Sequence, residues 1–294
     1  PTTLDALGGG RVISTTNVAV SLAGFTVTRG YISSTVSQYG GGIYAGGALT
    51  LTDVAVYSNT NTGTAGTQNG GGVFAAGAAL LSNSRLISNV ARSFGGGLYA
   101  NATLAVTGTQ FVTNTSSQQG GGAYANGAAT FAGGLFLDNR AGTDAGGLWA
   151  TASVTLTDTQ FISNTAVQTS GGVRTQSTAI LIRGLFQGNR ANTLQGGAIY
   201  ALGTTTMTGT RFIANTADRG GAVYVSDVFS TRRLVNVLLD RNRAASAGAA
   251  IYLDSGTLNV IHATIVSPTL PTGAQQAVYV NGGTFNITNS IVAS

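Results

Sequence analysis

Asparagine recurs at a nearly fixed interval along this chain. Asn89, Asn114, Asn139, Asn164 and Asn189 stand 25 residues apart, and the series begins at Asn59 and runs on to Asn215 and Asn242. Paired glycines keep step with it, from Gly41-Gly42 and Gly71-Gly72 through Gly96-Gly97, Gly121-Gly122, Gly146-Gly147 and Gly171-Gly172 to Gly196-Gly197 and Gly220-Gly221. A unit this short cannot bury its own apolar face. It must stack on its neighbours, which makes the chain a quasi-one-dimensional solenoid. Because the repeat runs nearly end to end, residues 1–294 are expected to form a single domain.

One unit reads Gly146-Gly147-Leu148-Trp149-Ala150, then Val154 to Thr157, then Gln160-Phe161-Ile162 and Asn164. It holds three short alternating stretches, too short for helices and rich in β-branched and aromatic residues. Strand, turn, strand, turn, strand, loop is one coil of a triangular, all-β, right-handed parallel β-helix. Three inward columns follow from alternation. Three residues before each Asn stand Val56, Leu86, Phe111, Phe136, Phe161, Phe186, Phe212 and Leu239, and eight before stand Leu51, Leu81, Val106, Phe131, Leu156, Leu181, Met207 and Leu234. Ile43, Val73, Leu98, Ala123, Leu148, Val173, Ile199, Val223 and Ile251 follow the glycines. The column six before each Asn (Asp53, Asn83, Gly108, Gly133, Asp158, Arg183, Gly209, Asn236) consists, Arg183 apart, of residues that tolerate tight turns. About ten rungs of about 25 residues, stacked at about 4.8 Å, predict a rod on the order of 50 Å long. Longer loops are expected before Gly41, after Asn59 and around Pro268 to Gln276, where the spacing stretches.

Stacked asparagine amides can bond along their column and satisfy a bend, and the glycines suit a bend needing positive φ or close backbone approach. Neither column is read as catalytic. A glycine-rich phosphate loop would need a following helix and a lysine, and the chain has neither a helical period nor any Lys. All basic residues are Arg, all acids are Asp, and there is no Cys. The net charge of +5 rests on few residues, and scattered solvated Arg explain it without a nucleic-acid partner. No apolar run is long enough to cross a bilayer, so direct membrane insertion is not expected.

The pairing of Gly-Gly-x-Ile/Val/Leu-Tyr with Phe-x-x-Asn recurs as Gly121-Gly122-Ala123-Tyr124 with Phe136-Leu137-Asp138-Asn139, and as Gly196-Gly197-Ala198-Ile199-Tyr200 with Phe212-Ile213-Ala214-Asn215. It resembles the repeat of polymorphic outer-membrane proteins and related bacterial right-handed β-helix surface proteins. The resemblance covers roughly residues 20 to 294. It implies a secreted or cell-surface passenger (an adhesin, appendage or coat), with some carbohydrate-active relatives. The chain departs from the pattern where Arg174 replaces the aromatic residue, where Ala247-Gly248 replaces the glycine pair, and where Pro268 stands in the Asn column.

One residue after each inward aliphatic lies a candidate binding column: Tyr44, Phe74, Tyr99, Tyr124, Trp149, Tyr200, Tyr224 and Tyr252, with Tyr279 continuing it. Alternation turns these rings outward, interrupted only by Arg174, which can stack on them. Such a row can be a self-stacking ladder, a contact face for another copy or a covering segment, or a platform for sugar rings. No catalytic residue, cofactor or metal is expected. The lone His262 falls in the turn column. The aspartates are dispersed, and only Asp227 and Asp254 fall on adjacent rungs, near Arg232, Arg233, Arg241 and Arg243. That grouping keeps a β-helix polysaccharide lyase or glycoside hydrolase as the alternative. Interrupted Thr-x-Thr words at Thr107-Thr109, Thr157-Thr159 and Thr208-Thr210 raise an ice-binding surface as a third option.

The favoured expectation is a non-enzymatic extracellular structural or adhesive protein, with a surface glycan or protein receptor as partner. Unpaired backbone at either end of a β-helix templates strand addition. Flanking domains or head-to-tail stacking of copies into a filament are therefore expected as well.

Overall fold

The computed structural model describes residues 2–64, 66–266 and 276–293. Among them there is no helix, and every strand pairing is parallel, joining each residue to its counterpart one turn on. The strand after the glycines, such as Leu148–Ala150, belongs to an 11-stranded sheet, here sheet 1. The next, such as Val154–Thr157, belongs to an 11-stranded sheet 2, and the third, such as Gln160–Ile162, to a 12-stranded sheet 3. The result is a parallel β-solenoid of about eleven turns, close to the ten or so expected and more than the eight ladder asparagines. Ladder asparagines are lacking in the outermost turns, where Thr2–Asp5 pairs with Phe25–Thr28 and Ile291–Ala293 with Thr264–Val266.

A fourth sheet was not expected. Each of the eight ladder Asn is followed by a short strand, as at Arg140–Ala141 and Thr165–Ala166, and these, with Tyr31–Ile32 ahead of them, form a nine-stranded parallel sheet. Their inward column, Ala91, Ala141, Ala166, Ala191, Ala217 and Ala244, is buried. Small side chains fit there because the corner turns sharply beside the phenylalanine column. The three predicted inward columns form one continuous core. Within it Phe111, Phe136, Phe161, Phe186 and Phe212 stack face to face at 4.5–5.2 Å. Fully burying each such side chain contributes about 1.5–3 kcal/mol, delivered rung by rung.

The turn column is left-handed throughout. Asp53, Asn83, Asp158, Arg183, Asn236 and His262 have φ of 47–53°, and Gly108, Gly133 and Gly209 share that sign. Arg183 is the least suited to it, and it forms a two-pronged pair with Asp158 one rung below, at 2.8 and 2.7 Å, which holds the Asp158 carboxyl below its usual pKa. The residue immediately before each Asn is left-handed too, as in Ser88, Thr113, Asp138 and Ser163.

Every ladder Asn from Asn59 to Asn242 is fully buried. The Oδ1 of Asn164 accepts both the backbone N–H and the side-chain N–H of Asn139, at 3.0 and 2.9 Å, while its own Nδ2 donates to Phe136 O and to Asn189 Oδ1. The same wiring repeats from Asn59 to Asn242, and Gly30 N–H caps Asn59 Oδ1 at 2.9 Å. The first six glycine pairs serve close approach rather than positive φ. The left-handed residue is the one before them, Gly40, Gly70, Gly95, Gly120, Ala145 or Ser170.

The expected loop around Pro268 falls, except for Gln276, outside the described residues. The other two excursions are ordered against each other, Gln38–Tyr39 pairing with Gln68–Asn69 as a separate two-stranded sheet.

Candidate functional site

The aromatic column stands on the outward face of sheet 1, in register from Tyr44 to Tyr279. Successive rings stack at 5.0–6.1 Å from Tyr44 through Phe74, Tyr99 and Tyr124 to Trp149; further on, Tyr200 meets Tyr224 edge to face at 5.0 Å, and Tyr224, Tyr252 and Tyr279 stack at 5.0–5.1 Å. Arg174 bridges the two halves, its guanidinium 4.4 Å from the Trp149 ring centre and 4.7 Å from that of Tyr200. It also lies 3.2 Å from Asp144 and donates to Thr169 Oγ1 at 2.9 Å.

The column is less exposed than alternation predicts. Phe74, Trp149, Tyr224 and Tyr252 are buried, and Tyr44, Tyr99, Tyr124 and Tyr200 are half-buried. The cause is a second column that leads into the glycine corner on every turn: Tyr39, Asn69, Phe94, Gln119, Asp144, Thr169, Gln195 and Arg219. Tyr39 stacks on Phe74 at 4.6 Å, Phe94 tilts onto Tyr124 at 5.2 Å, and Arg219 lies 5.8 Å over Tyr252. No sequence period marks this cover, because its residue type changes at each turn.

Burial pushes the phenol pKa of Tyr99, Tyr124, Tyr200, Tyr224 and Tyr252 upward. The folded chain therefore holds these protons more tightly than the unfolded chain, whose tyrosines titrate near pH 10. The associated stability is present in full below about pH 10 and is lost as the pH rises through the raised folded values. Melting temperature should fall above that point, with phenolate absorbance appearing on unfolding, and the fall should be shallower in Tyr224→Phe.

Arg174→Ala leaves Asp144, whose side chain is 9% exposed, without its cation and opens a gap between two rings. Loss of the pair and of the stacking should cost about 2–3 kcal/mol. Urea titration checks this, and the only tryptophan of the chain, Trp149, should shift its emission to the red.

The two aspartates on adjacent rungs are occupied by loop contacts. Asp227 accepts from Phe229 N–H and Ser230 Oγ, whereas Asp254 accepts from Ser226 Oγ and Asn281 Nδ2. One arginine of the group named beside them has a role the sequence did not reveal. Arg232 is fully buried, and its guanidinium donates to the carbonyls of Leu202, Ser226, Asp227 and Ser230, pinning a loop that presents Phe229 to solvent. His262 is a turn residue, as predicted. The Thr-x-Thr words do not form an outward array, because Thr109, Thr159 and Thr210 are buried at the turn.

Two openings accompany these features. A shallow groove of about 520 Å3 runs over the outward face of sheet 2, lined by Ala78, Leu80, Ala105, Thr130 and similar small or apolar groups with no charge. A smaller cleft of about 280 Å3 opens on the aromatic column between Tyr39, Tyr44, Phe74 and Tyr99. No group of three or more metal-type side chains is found among the described residues. No helix among them is long and apolar enough to cross a membrane.

Residues 184–202 match the family described as the Chlamydia polymorphic membrane protein repeat. No curated protein and no solved structure matches the chain. The matched segment spans one ladder Asn, one glycine corner and one outward tyrosine; the Asn and the corner recur in register on both neighbouring turns, and the tyrosine recurs on the next, as Tyr224. The chain is a parallel β-solenoid, and one stretch of it, residues 184–202, is similar to the polymorphic membrane protein repeat.

Proposed function

We propose that this solenoid is an extracellular rod, displayed at a cell surface as a structural or adhesive element and without catalytic activity of its own. The observation that carries this reading is the match of a complete corner of the repeat to one from a membrane protein family. The architecture supports it, since a uniform rod distributes contact area along its length instead of converging groups on one point. Antibodies against the purified chain should label intact cells that produce it, and labelling only after permeabilisation would overturn the surface assignment. Coated beads should adhere to a receptor-bearing surface, whether that receptor is a glycan or a protein.

Self-association is part of the same proposal. The outward face of sheet 3 carries Ile87, Val112, Leu137 and Ile162 in one column, all in register and only partly covered. Such a strip favours lateral contact between rods. Light scattering should then show mass rising with concentration, and a monodisperse monomer throughout would remove this element. Polysaccharide breakdown that disappears in the Asp227→Asn/Asp254→Asn double variant with the fold intact would replace the non-enzymatic reading with a carbohydrate-active one.

A further inference from the structure

One corner of the rod is built unlike the others. Three residues, 202–204, lead from Ala201 in sheet 1 to Thr205 in sheet 2, but six, 226–231, join their counterparts one turn on, Val225 and Arg232. The longer connection carries Val228 and Phe229, which are 65% and 95% exposed. Beneath it Arg232 takes an inward position held by Val154, Ala179 and Thr205 on earlier turns, and donates to the carbonyls of Leu202, Ser226, Asp227 and Ser230. Burying a guanidinium is costly, and the acid paired with it, Asp227, stands 3.9 Å away. That cost fixes a loop whose aromatic tip buries almost nothing within its own chain.

A receptor for such a tip lies along the same edge of sheet 2. The groove of about 520 Å3 is lined by the last residues of the corners, such as Ala78 and Ala128, and by outward groups such as Leu80 and Thr130. Its lining spans five rungs, with Leu104 on the middle one. Register carries Leu104 through Ala129, Val154, Ala179 and Thr205 to Arg232, five rungs or about 24 Å along the rod. A chain cannot bend its own tip across that distance, but a second copy can supply one. The face between suits contact. Its strands from Leu49–Thr52 to Thr205–Thr208 contain no charged residue, and Leu80 and Ile180 stand 46% and 40% exposed on it. The first charge along this face is Arg233, on the tip's own rung.

We infer that two copies of this chain dock through sheet 2 as an antiparallel two-fold pair, each placing Val228 and Phe229 in the other's groove. A two-fold axis between the Val154 and Ala179 rungs exchanges the tip with the middle of the groove, since each lies two and a half rungs from it. Both contacts then form at once, and the pair closes. The same axis sets Thr155 of one copy against Ile180 of the other. From the Leu49 strand to the Thr231 strand the face is about 34 Å long and 13 Å wide, about 450 Å2 on each copy, and the two tips bring the total past the roughly 1,000 Å2 that a specific interface needs. Because Arg232 has already fixed the loop, docking loses little further ordering entropy. This pairing uses a different face from the sheet 3 strip and does not depend on it.

Sedimentation velocity over a range of concentrations should show a species of twice the chain mass. Phe229→Ser at the exposed tip and Thr130→Asp, exposed in the groove, should each raise the dimer dissociation constant at least about a hundredfold, because each removes both contacts of the symmetric pair. A mixture of the two variants restores one intact tip facing one intact groove. Fluorescently labelled Phe229→Ser chain should therefore bind Thr130→Asp chain at least about tenfold more tightly than either binds itself. If Thr130→Asp disturbs folding, Leu80→Asp on the same groove carries the test. Dimers that survive both variants would belong to the sheet 3 strip and overturn the inference, as would a monomer throughout or no gain on mixing. None of these results bears on the labelling of intact cells, so the surface reading fails or stands separately.

Discussion

Asn164→Ala should lower the unfolding free energy by about 3–5 kcal/mol, as the sum of several buried hydrogen bonds lost at once. The substitution strips the backbone N–H and the amide of Asn139 of their shared acceptor, and leaves Phe136 O and Asn189 Oδ1 each short of a donor. Water cannot replace these partners at a residue with no exposed surface. Chemical denaturation of the variant beside Ser163→Ala, which sits next to it in the chain but outside the ladder, checks the value. A loss below about 1 kcal/mol would mean that the ladder is a by-product of stacking and not a brace.

Gly146→Ala should be at least as severe, on the order of 3 kcal/mol or more, because overpacking here meets backbone and not a yielding side chain. A Cβ at that position would stand 2.6 Å from Gly171 O and 2.6 Å from both N and O of Thr165. The turn glycines behave differently. Gly133 has φ of +69° and no atom closer than 3.9 Å to an added Cβ, and Asn83 and Asp158 occupy the same column. Gly133→Asn should therefore change stability by no more than about 0.5 kcal/mol, since Asn tolerates the left-handed region and the site is open. Similar losses in Gly146→Ala and Gly133→Asn would refute the distinction between close approach and backbone freedom.

Much of this architecture was legible before any coordinates, because identical residues recur wherever packing is identical. The phenylalanine column, the aliphatic columns and the left-handed turn at Asp158 all sit where period and alternation put them. The short strands after each Asn were not legible, since two residues such as Arg140-Ala141 carry no period to detect. The cover over the aromatic column was missed for the opposite reason. Its members, from Tyr39 to Arg219, share a place but not a chemistry, so no repeat points to them. Alternation alone turned Trp149 and Tyr224 outward correctly, but it could not reveal that neighbouring loops fold over them. Arg232 read as one of a group of arginines beside Asp227 and Asp254, yet it is a buried staple that donates to a loop of backbone carbonyls.

The uneven intervals of the asparagine series have a consequence for how such a molecule can change length. From Asn89 to Asn189 every interval is 25 residues, whereas those flanking this stretch are 30 and 26. Inside the uniform stretch, each turn offers the one above it the same glycine pair, the same amide and a closely matching set of core residues. A duplicated or excised turn thus meets a seam it already fits. The irregular intervals outside it act as keys that forbid slippage, because a chain displaced by one turn would have to bury a loop where a corner belongs. Length becomes a counted quantity, altered in steps of about 4.8 Å by the gain or loss of whole 25-residue turns, with no need to redesign a core. The distance between any two features on such a rod is therefore fixed by the number of turns between them.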